Sequence, residues 1–530
     1  MKVLFASLIA LLLAQPLYSQ DELWLEPISL GTNDGLQSFA HGHFQGKFYL
    51  FGGRLDGLHQ RQPFASFDNN GHNDELWIIE ADSSIYRLAL QHLPDSLYDQ
   101  LRSTNMQFYQ VDSLLYLVGG YGISSSNGNH LTHPLLSIVN LGQLQNLNPG
   151  DSVPNSAFQQ ISHPDFAVTG GQLRRMDSTF YLVGGHRFDG RYNPHNGPSF
   201  TQAYTNSVRR FQVNGTFPNL QIQWQASMDD PLLLHRRDFN VAPEIKENGD
   251  YGLVAFSGVF QVNVDLPYLN AVRIGDNSIS EIPNFSQYYN HYHCANIPLY
   301  QANAKQMHTL FFGGIAQYYE ENGLRTQDNN VPFVNTIARV SRDSLGNYSE
   351  SKLMVEMPAL LGAGSEFFIA DGLPLSAAGI IDYDALQGDT VLIGYIFGGI
   401  ESSAPNIFFS NTGSQSLASP KLFKVHIIRS KLNLSANTPA LSANQFAWQL
   451  YPNPGGKMQI WYAKLKAPCE MQLKLIDQSG KTIWTEKWKH SEGDDHKLLN
   501  PANLKEGSYI VELYLDAKLA SRQRWVYRSS

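Results

Sequence analysis

Two histidine pairs, His41-x-His43 and His291-x-His293, and two arginine-bearing clusters, His235-Arg236-Arg237-Asp238 and His186-Arg187, concentrate the groups able to do chemistry. Alternate residues of a strand share a face, so an H-x-H pair presents two imidazoles to one ion. Neither pair has a third and fourth ligand at any local spacing, so hydrogen-bonded histidines are expected, with no metal and no cofactor. Arginines give bidentate contacts to carboxylates, and aromatic rings offer faces to pyranose rings. His186 opens an expected loop through Phe188, Asp189, Tyr192 and His195 that is dense in both. Asp68-Asn-Asn-Gly71 begins like a calcium loop but lacks its later ligands, and a turn is the expectation. No Gly-x-Ser-x-Gly elbow and no Gly-rich Lys-Ser/Thr phosphate loop stands out.

The elements that position these groups come from a repeat. Six apolar runs end in a small-residue doublet, at Gly52-Gly53, Gly119-Gly120, Gly184-Gly185, Ser257-Gly258, Gly313-Gly314 and Gly398-Gly399. A strand buried on both faces reads as a continuous apolar run, and glycine at its end allows a turn and a close backbone approach. After each doublet come a polar loop and a second strand signal, as in Pro267-Tyr-Leu-Asn270-Ala-Val272 and Pro332-Phe-Val-Asn335-Thr-Ile337. Alternating segments such as Ser84–Leu88 and Leu220–Trp224 then read as half-exposed outer strands. The doublets are 67, 65, 73, 56 and 85 residues apart, and the longest gap is wide enough to hide a seventh unit.

These doublets and marked strands resemble the kelch repeat. The resemblance implies an all-β fold, a six-bladed kelch-type β-propeller over residues 21–430, with Asp21 to Leu30 as the strand that closes the ring in the sixth blade. In such a propeller the loops entering the inner strands and the loops after the doublets share the channel mouth. The expected ligand contacts there are His41, Arg54, Arg102, Tyr121, His186, Arg187, Arg236, Arg237, His291, His293 and Glu366. Kelch propellers include the galactose-oxidase group, whose copper centre uses two histidines, two tyrosines and a tyrosine linked to cysteine. Cys294 is the sole propeller cysteine and neighbours Tyr292 and His293, but the remaining ligands of such a centre are not evident.

Charge and composition bound the function further. Residues 21–430 hold 23 Lys and Arg against 38 Asp and Glu, a balance of −15, whereas residues 431–530 hold 14 against 9, or +5. An acidic main domain lacks the basic face that nucleic acid requires. Residues 1–20 have the short apolar core and polar exit of a signal peptide, and no later stretch is long enough for a transmembrane helix. With only Cys294 and Cys469, the core must come from aromatic and aliphatic residues rather than from disulfides.

Residues 431–445 are rich in Ser, Ala, Asn, Thr and Pro and read as a linker. Residues 446–530 alternate as a small Ig-like β-sandwich, with Met471, Leu473 and Leu475 on one face. This segment resembles the C-terminal sorting domain (type A) of the type IX secretion system. The resemblance is carried by Tyr451-Pro452-Asn453-Pro454, the Asp477…Gly480-Lys481 hairpin, the Leu504…Gly507-x-Tyr509 strand entry and the basic final strand. It implies export first to the periplasm and then across the outer membrane, with the secretion machinery as partner and a secreted or surface location. The expected function is a recognition module for a glycan or an extracellular protein. The alternatives are a carbohydrate-active enzyme (a sugar mutarotase or galactose-oxidase-like) and a structural cell-envelope component.

Overall fold

Each apolar run forms the strand beside the inner one in a blade built on four antiparallel strands, to which blades 5 and 6 each add a short fifth. In blade 1 the strands are Ala40–Phe44, Lys47–Phe51, Glu75–Ile79 and Ile85–Ala89, in that order from one edge to the other. Phe48, Tyr49, Leu50 and Phe51 are all buried, because the strand is flanked within its sheet and covered on both faces. Outer strands such as Gln221–Asp229 alternate between half-buried and exposed residues. The computed structural model describes residues 22–429 apart from 63, 81–82, 194–198 and 322–323. It also describes residues 448–527 apart from 452–457, 463–468, 478–480, 491–495, 500, 502–503, 506 and 516–517. The expected signal peptide lies outside the described residues.

Six such sheets make the propeller. The inner strands are Ala40–Phe44, Gln107–Val111, Gln172–Met176, Asn240–Ile245, Asn296–Gln301 and Leu360–Ile369. Every neighbouring pair of blades has its own apolar core. Tyr49 and Phe51 meet Leu115 and Leu117 between blades 1 and 2. Tyr116 and Leu136 meet Phe180 and Leu182 between blades 2 and 3. Tyr181 and Val183 meet Val241 and Leu253, Phe256 meets Phe311, and Phe312 meets Phe367 and Ile396 at the next three interfaces. Phe397 and Leu422 of blade 6 meet Leu50 and Trp77 of blade 1, which closes the ring. Glu22–Ile28 lies antiparallel to Leu422–Ile428, so blade 6 takes its outer strand from the other end of the unit, within the expected closing segment. The 85-residue gap holds no seventh sheet among the described residues. It is filled by the hairpin Tyr318–Glu321/Leu324–Gln327 and by an excursion between Ile369 and Thr390, whose Ile381–Asp382 pairs with the inner strand of blade 5.

The doublet has a specific steric role. Gly313 sits at φ +65°, and a Cβ there would lie 1.8 Å from the carbonyl oxygen of Leu361, the residue leading into the next blade. Only a residue without a side chain permits that approach.

One residue from each blade, before the inner strand in blades 1–5 and within it in blade 6, joins a closed belt of backbone hydrogen bonds around the axis. The N–H of Ser38 donates to the carbonyl of Gly364 (2.8 Å), Gly364 to His293 (2.9 Å), and His293 to Asp238 (2.9 Å). Asp238 in turn donates to Gly170 (2.7 Å), Gly170 to Asn105 (3.3 Å), and Asn105 back to Ser38 (3.0 Å). Ser38, Asn105 and Asp238 adopt φ of +53°, +54° and +51°, a conformation that Asn and Asp tolerate better than most residues.

The chain divides between Lys431 and Leu432 into two compact units. The second contains a three-stranded sheet (Trp448–Tyr451, Met458–Tyr462, His496–Leu499) and a four-stranded one (Thr482–His490, Cys469–Ile476, Gly507–Leu515, Lys518–Tyr527). Met471, Leu473, Leu475, Leu499, Val511, Leu513 and Trp525 are fully buried in its core. Tyr451 ends a strand, Lys481 closes a turn on Asp477, and Tyr509 is buried with its hydroxyl donating to the Lys505 carbonyl (2.6 Å). Gly507 opens its strand; Pro452, Asn453, Pro454 and Gly480 lie outside the described residues.

Candidate functional site

Above the belt, the channel opens into a cavity of about 250 Å³. The fold builds it from equivalent positions. The residue after the doublet pairs with the residue before the belt: Arg54 with Gln37, Tyr121 with Thr104, His186 with Thr169, Val259 with Arg237. Arg54, Tyr121 and His186 therefore face the cavity from blades 1–3, and Ile315 and Ile400 face it from blades 5 and 6. Belt residues Ser38, Asn105, Asp238, His293 and Gly364 line its base, and Phe67, Phe188, Tyr192, Phe260, Tyr292 and Phe408 complete an aromatic wall.

Both arginines in the cavity are paired. Arg54 is held by Asp56 through two contacts, Nε to Oδ1 at 2.6 Å and Nη2 to Oδ2 at 2.5 Å, and donates to the Asp68 carbonyl at 3.1 Å. Its side chain is 2 % exposed, and Nη1 is buried with no partner in the protein. Arg237 pairs with Asp238, its Nε is buried without a partner, and its guanidinium lies 5.1 Å from the centre of the Phe260 ring. Burial works against the Arg237 cation, but the Asp238 carboxylate more than offsets this and holds the guanidinium above its ordinary range. Burial, aided by the Arg237 charge, keeps His186 well below 6.5. The Gln202 amide donates to its Nδ1 at 2.7 Å, which leaves the proton on Nε2. Burial likewise lowers His59 to about 4 and raises the Tyr121 and Tyr292 phenols. At neutral pH the cavity holds the neutral imidazoles of His59 and His186, the protonated phenols of Tyr121 and Tyr292 and two internally balanced ion pairs.

Beneath the belt lies a chamber of about 30 Å³ lined by Gln107, Arg174, His293 and Glu366 with the belt side chains. His293 Nε2 stands 3.1 Å from Glu366 Oε1. Burial lowers the His293 pKa, yet the charge and hydrogen bond of Glu366 raise it more, for a net upward shift. This pair brings an imidazole and a carboxyl group within 3.1 Å of each other just beneath the cavity.

The structure brings Arg54, Tyr121, His186, Arg237 and His293 together in the cavity and Glu366 just below it. The other expected contacts lie elsewhere. His41 is wedged between the Phe108 and Phe368 rings (4.8 and 4.5 Å), lowered to about 4 by burial. Arg102 donates to Asn69 Oδ1 and the Ile123 carbonyl, both at 3.2 Å. Arg187 points out of its strand to Asp189 at 2.6 Å. Arg236 is fully buried on the Leu233 and Ser257 carbonyls, both 2.7 Å, and on Asn270. His291 contacts the Gln287 carbonyl (3.0 Å) and accepts from Gln317 N–H (3.0 Å), so it does not share a ligand with His293. The segment from His186 is a hairpin, His186–Gly190 with Phe200–Tyr204, rather than a loop; alternation sends His186 and Phe188 inward and Arg187 outward. His195 lies outside the described residues. Asp68 caps one 3-10 turn by accepting from Asn70 N–H at 3.0 Å, as a turn requires.

Cys294 is buried with its thiol pushed up to about 12 by desolvation and within 3.8 Å of the Asn240 amide. No group of three or more metal-ligating side chains occurs among the described residues. Phe67, Phe260 and Phe408 were not singled out from sequence, since nothing local distinguishes a cavity phenylalanine from a core one.

No helix among the described residues is long and apolar enough to cross a membrane. No curated protein matches the chain. A solved structure described as "Structure of YjhT" aligns over 75 % of this chain and 96 % of its own at 12 % identity and a TM-score of 0.41, too distant a likeness to speak for a ligand. Residues 449–527 match the family described as the secretion system C-terminal sorting domain, and the protein that carries them is exported by type IX secretion to the cell surface or beyond.

Proposed function

We propose that residues 22–429 form a kelch-type recognition propeller that binds a glycan in the mouth of its channel, and that the sorting domain delivers it outside the cell through the type IX machinery. The observation that carries this reading is the aromatic cavity of about 250 Å³ lined by two arginines that each keep one buried guanidinium nitrogen without a partner. Apolar ring faces with a few fixed donors are what a sugar needs, because its hydroxyls demand partners and its C–H faces demand apolar cover. Phe64 and Phe409, 76 % and 69 % exposed, sit on the loops that also supply Phe67 and Phe408, and they extend apolar surface outward. The purified chain screened on an oligosaccharide array tests the proposal. Binding should fall at least tenfold in Arg237→Lys and Tyr192→Ala and remain unchanged in Arg187→Ala. An array without hits, or binding indifferent to Arg237 and Tyr192, refutes it.

A second reading is favoured by the His293–Glu366 pair. Placed just beneath the same cavity, it would serve as an acid–base couple for a sugar-converting enzyme. Turnover of a bound reducing sugar that disappears in Glu366→Gln while binding persists would establish that reading over simple recognition.

A further inference from the structure

We infer that the cavity selects an uncharged, hydroxyl-rich ring, a neutral sugar end group, against its acidic and amino counterparts. The inference rests on the glycan reading above and adds the charge and length of what is bound.

The charge argument starts from the two ion pairs. Arg54 is matched by Asp56, and Arg237 by Asp238, so neither cation is left for a ligand carboxylate. Nor is a carboxylate left for a ligand ammonium among the described residues of the lining, since Asp238 is matched by Arg237 and Glu366 is paired with His293 below the belt. His59 and His186 are neutral, for the reasons given above. An ion entering this site would lose its hydration without gaining a counter-charge, which buried ions do not tolerate. Hydrogen-bonding capacity nevertheless remains. Arg54 Nη1 and Arg237 Nε are buried donors without acceptors. Neutral hydroxyl oxygens satisfy such donors at no electrostatic cost.

The length argument comes from the belt. Six backbone hydrogen bonds encircle the axis at the base of the cavity, and the chamber beneath them has room for about 30 Å³. The channel therefore narrows sharply at the belt, and the cavity's volume lies just under the roughly 300 Å³ at which ordinary small-molecule sites begin. A polymer enters by its end, with one ring inside.

Calorimetric titration of the purified chain at pH 7 with methyl hexopyranosides, the matching methyl uronosides and the matching 2-amino sugars tests this. The expected result is binding of a neutral glycoside with its uronate and amino analogues at least tenfold weaker. Asp238→Asn should then shift preference toward the uronate at least tenfold, because it frees the Arg237 charge; asparagine accepts the φ of +51° and keeps the backbone belt. Asp56→Asn gives the same readout at Arg54 should the first variant not fold. A uronate or amino sugar that binds wild type as tightly as the neutral glycoside overturns the inference while the glycan reading stands. Failure of all three classes to bind overturns the glycan reading and this inference with it.

Discussion

Replacing Gly313 by alanine probes why the repeat carries its doublets. The new Cβ meets two separate penalties. Holding a non-glycine residue at φ +65° costs about 1–2 kcal/mol. The 1.8 Å approach to the Leu361 carbonyl must be relieved by moving backbone at the blade 5–6 boundary, an overpacking penalty of about 1–3 kcal/mol. The sum is about 2–5 kcal/mol. Gly372→Ala is the control: its φ is +75°, but nothing lies within 4 Å of the added carbon, so only the conformational cost applies. With an unfolding entropy of about 2.1 cal/mol/K per residue over roughly 400 residues, 1 kcal/mol moves the melting temperature by about 1 °C. Calorimetry should show a fall of about 2–6 °C for Gly313→Ala and about 1–2 °C for Gly372→Ala. Equal shifts in the two variants would refute the close-approach explanation. Blade 4 shows that the conformation alone is tolerable, since Ser257 holds φ +49° in the equivalent place with its hydroxyl donating to the Tyr268 carbonyl at 2.7 Å.

Three further outcomes are expected. His41, His59, His133, His291 and His308 are each lowered to about 4, chiefly by burial. Between about 4 and 6.5 the unfolded chain binds more protons than the folded one, so stability should fall as pH drops through that window; a flat urea midpoint from pH 7 to 4.5 would contradict this. Glu350 is shifted the other way, raised to about 8 by burial despite accepting from Tyr288 and Tyr289 N–H. The folded protein there keeps a proton the unfolded chain has lost, so this group lowers stability as pH rises from 4.5 to about 8, and Glu350→Gln should flatten the profile above pH 7. Deleting residues 449–527 should leave the propeller in the periplasm, read by fractionation; release of the truncated chain to the medium would show that another segment directs export.

The sequence alone determined the periodic part of this protein. Doublets, apolar runs and alternating strands are local signals, and each blade must repeat them because every blade meets the same neighbours. The sorting domain was legible for the same reason: Met471, Leu473 and Leu475 alternate inward just as their spacing states. The site was only half legible. Position after a doublet identified Arg54, Tyr121 and His186, because the turn geometry fixes where that residue faces. Arg236 and Arg237 are adjacent in sequence and alike in chemistry, yet one is buried on backbone carbonyls and the other stands in the cavity. Alternation along the chain puts neighbours on opposite sides, and sequence does not say which side is the channel. The belt and the grouping of Phe67, Phe260 and Phe408 were decided by tertiary structure. They join residues from different blades, up to several hundred positions apart, which only closure of the ring brings within reach.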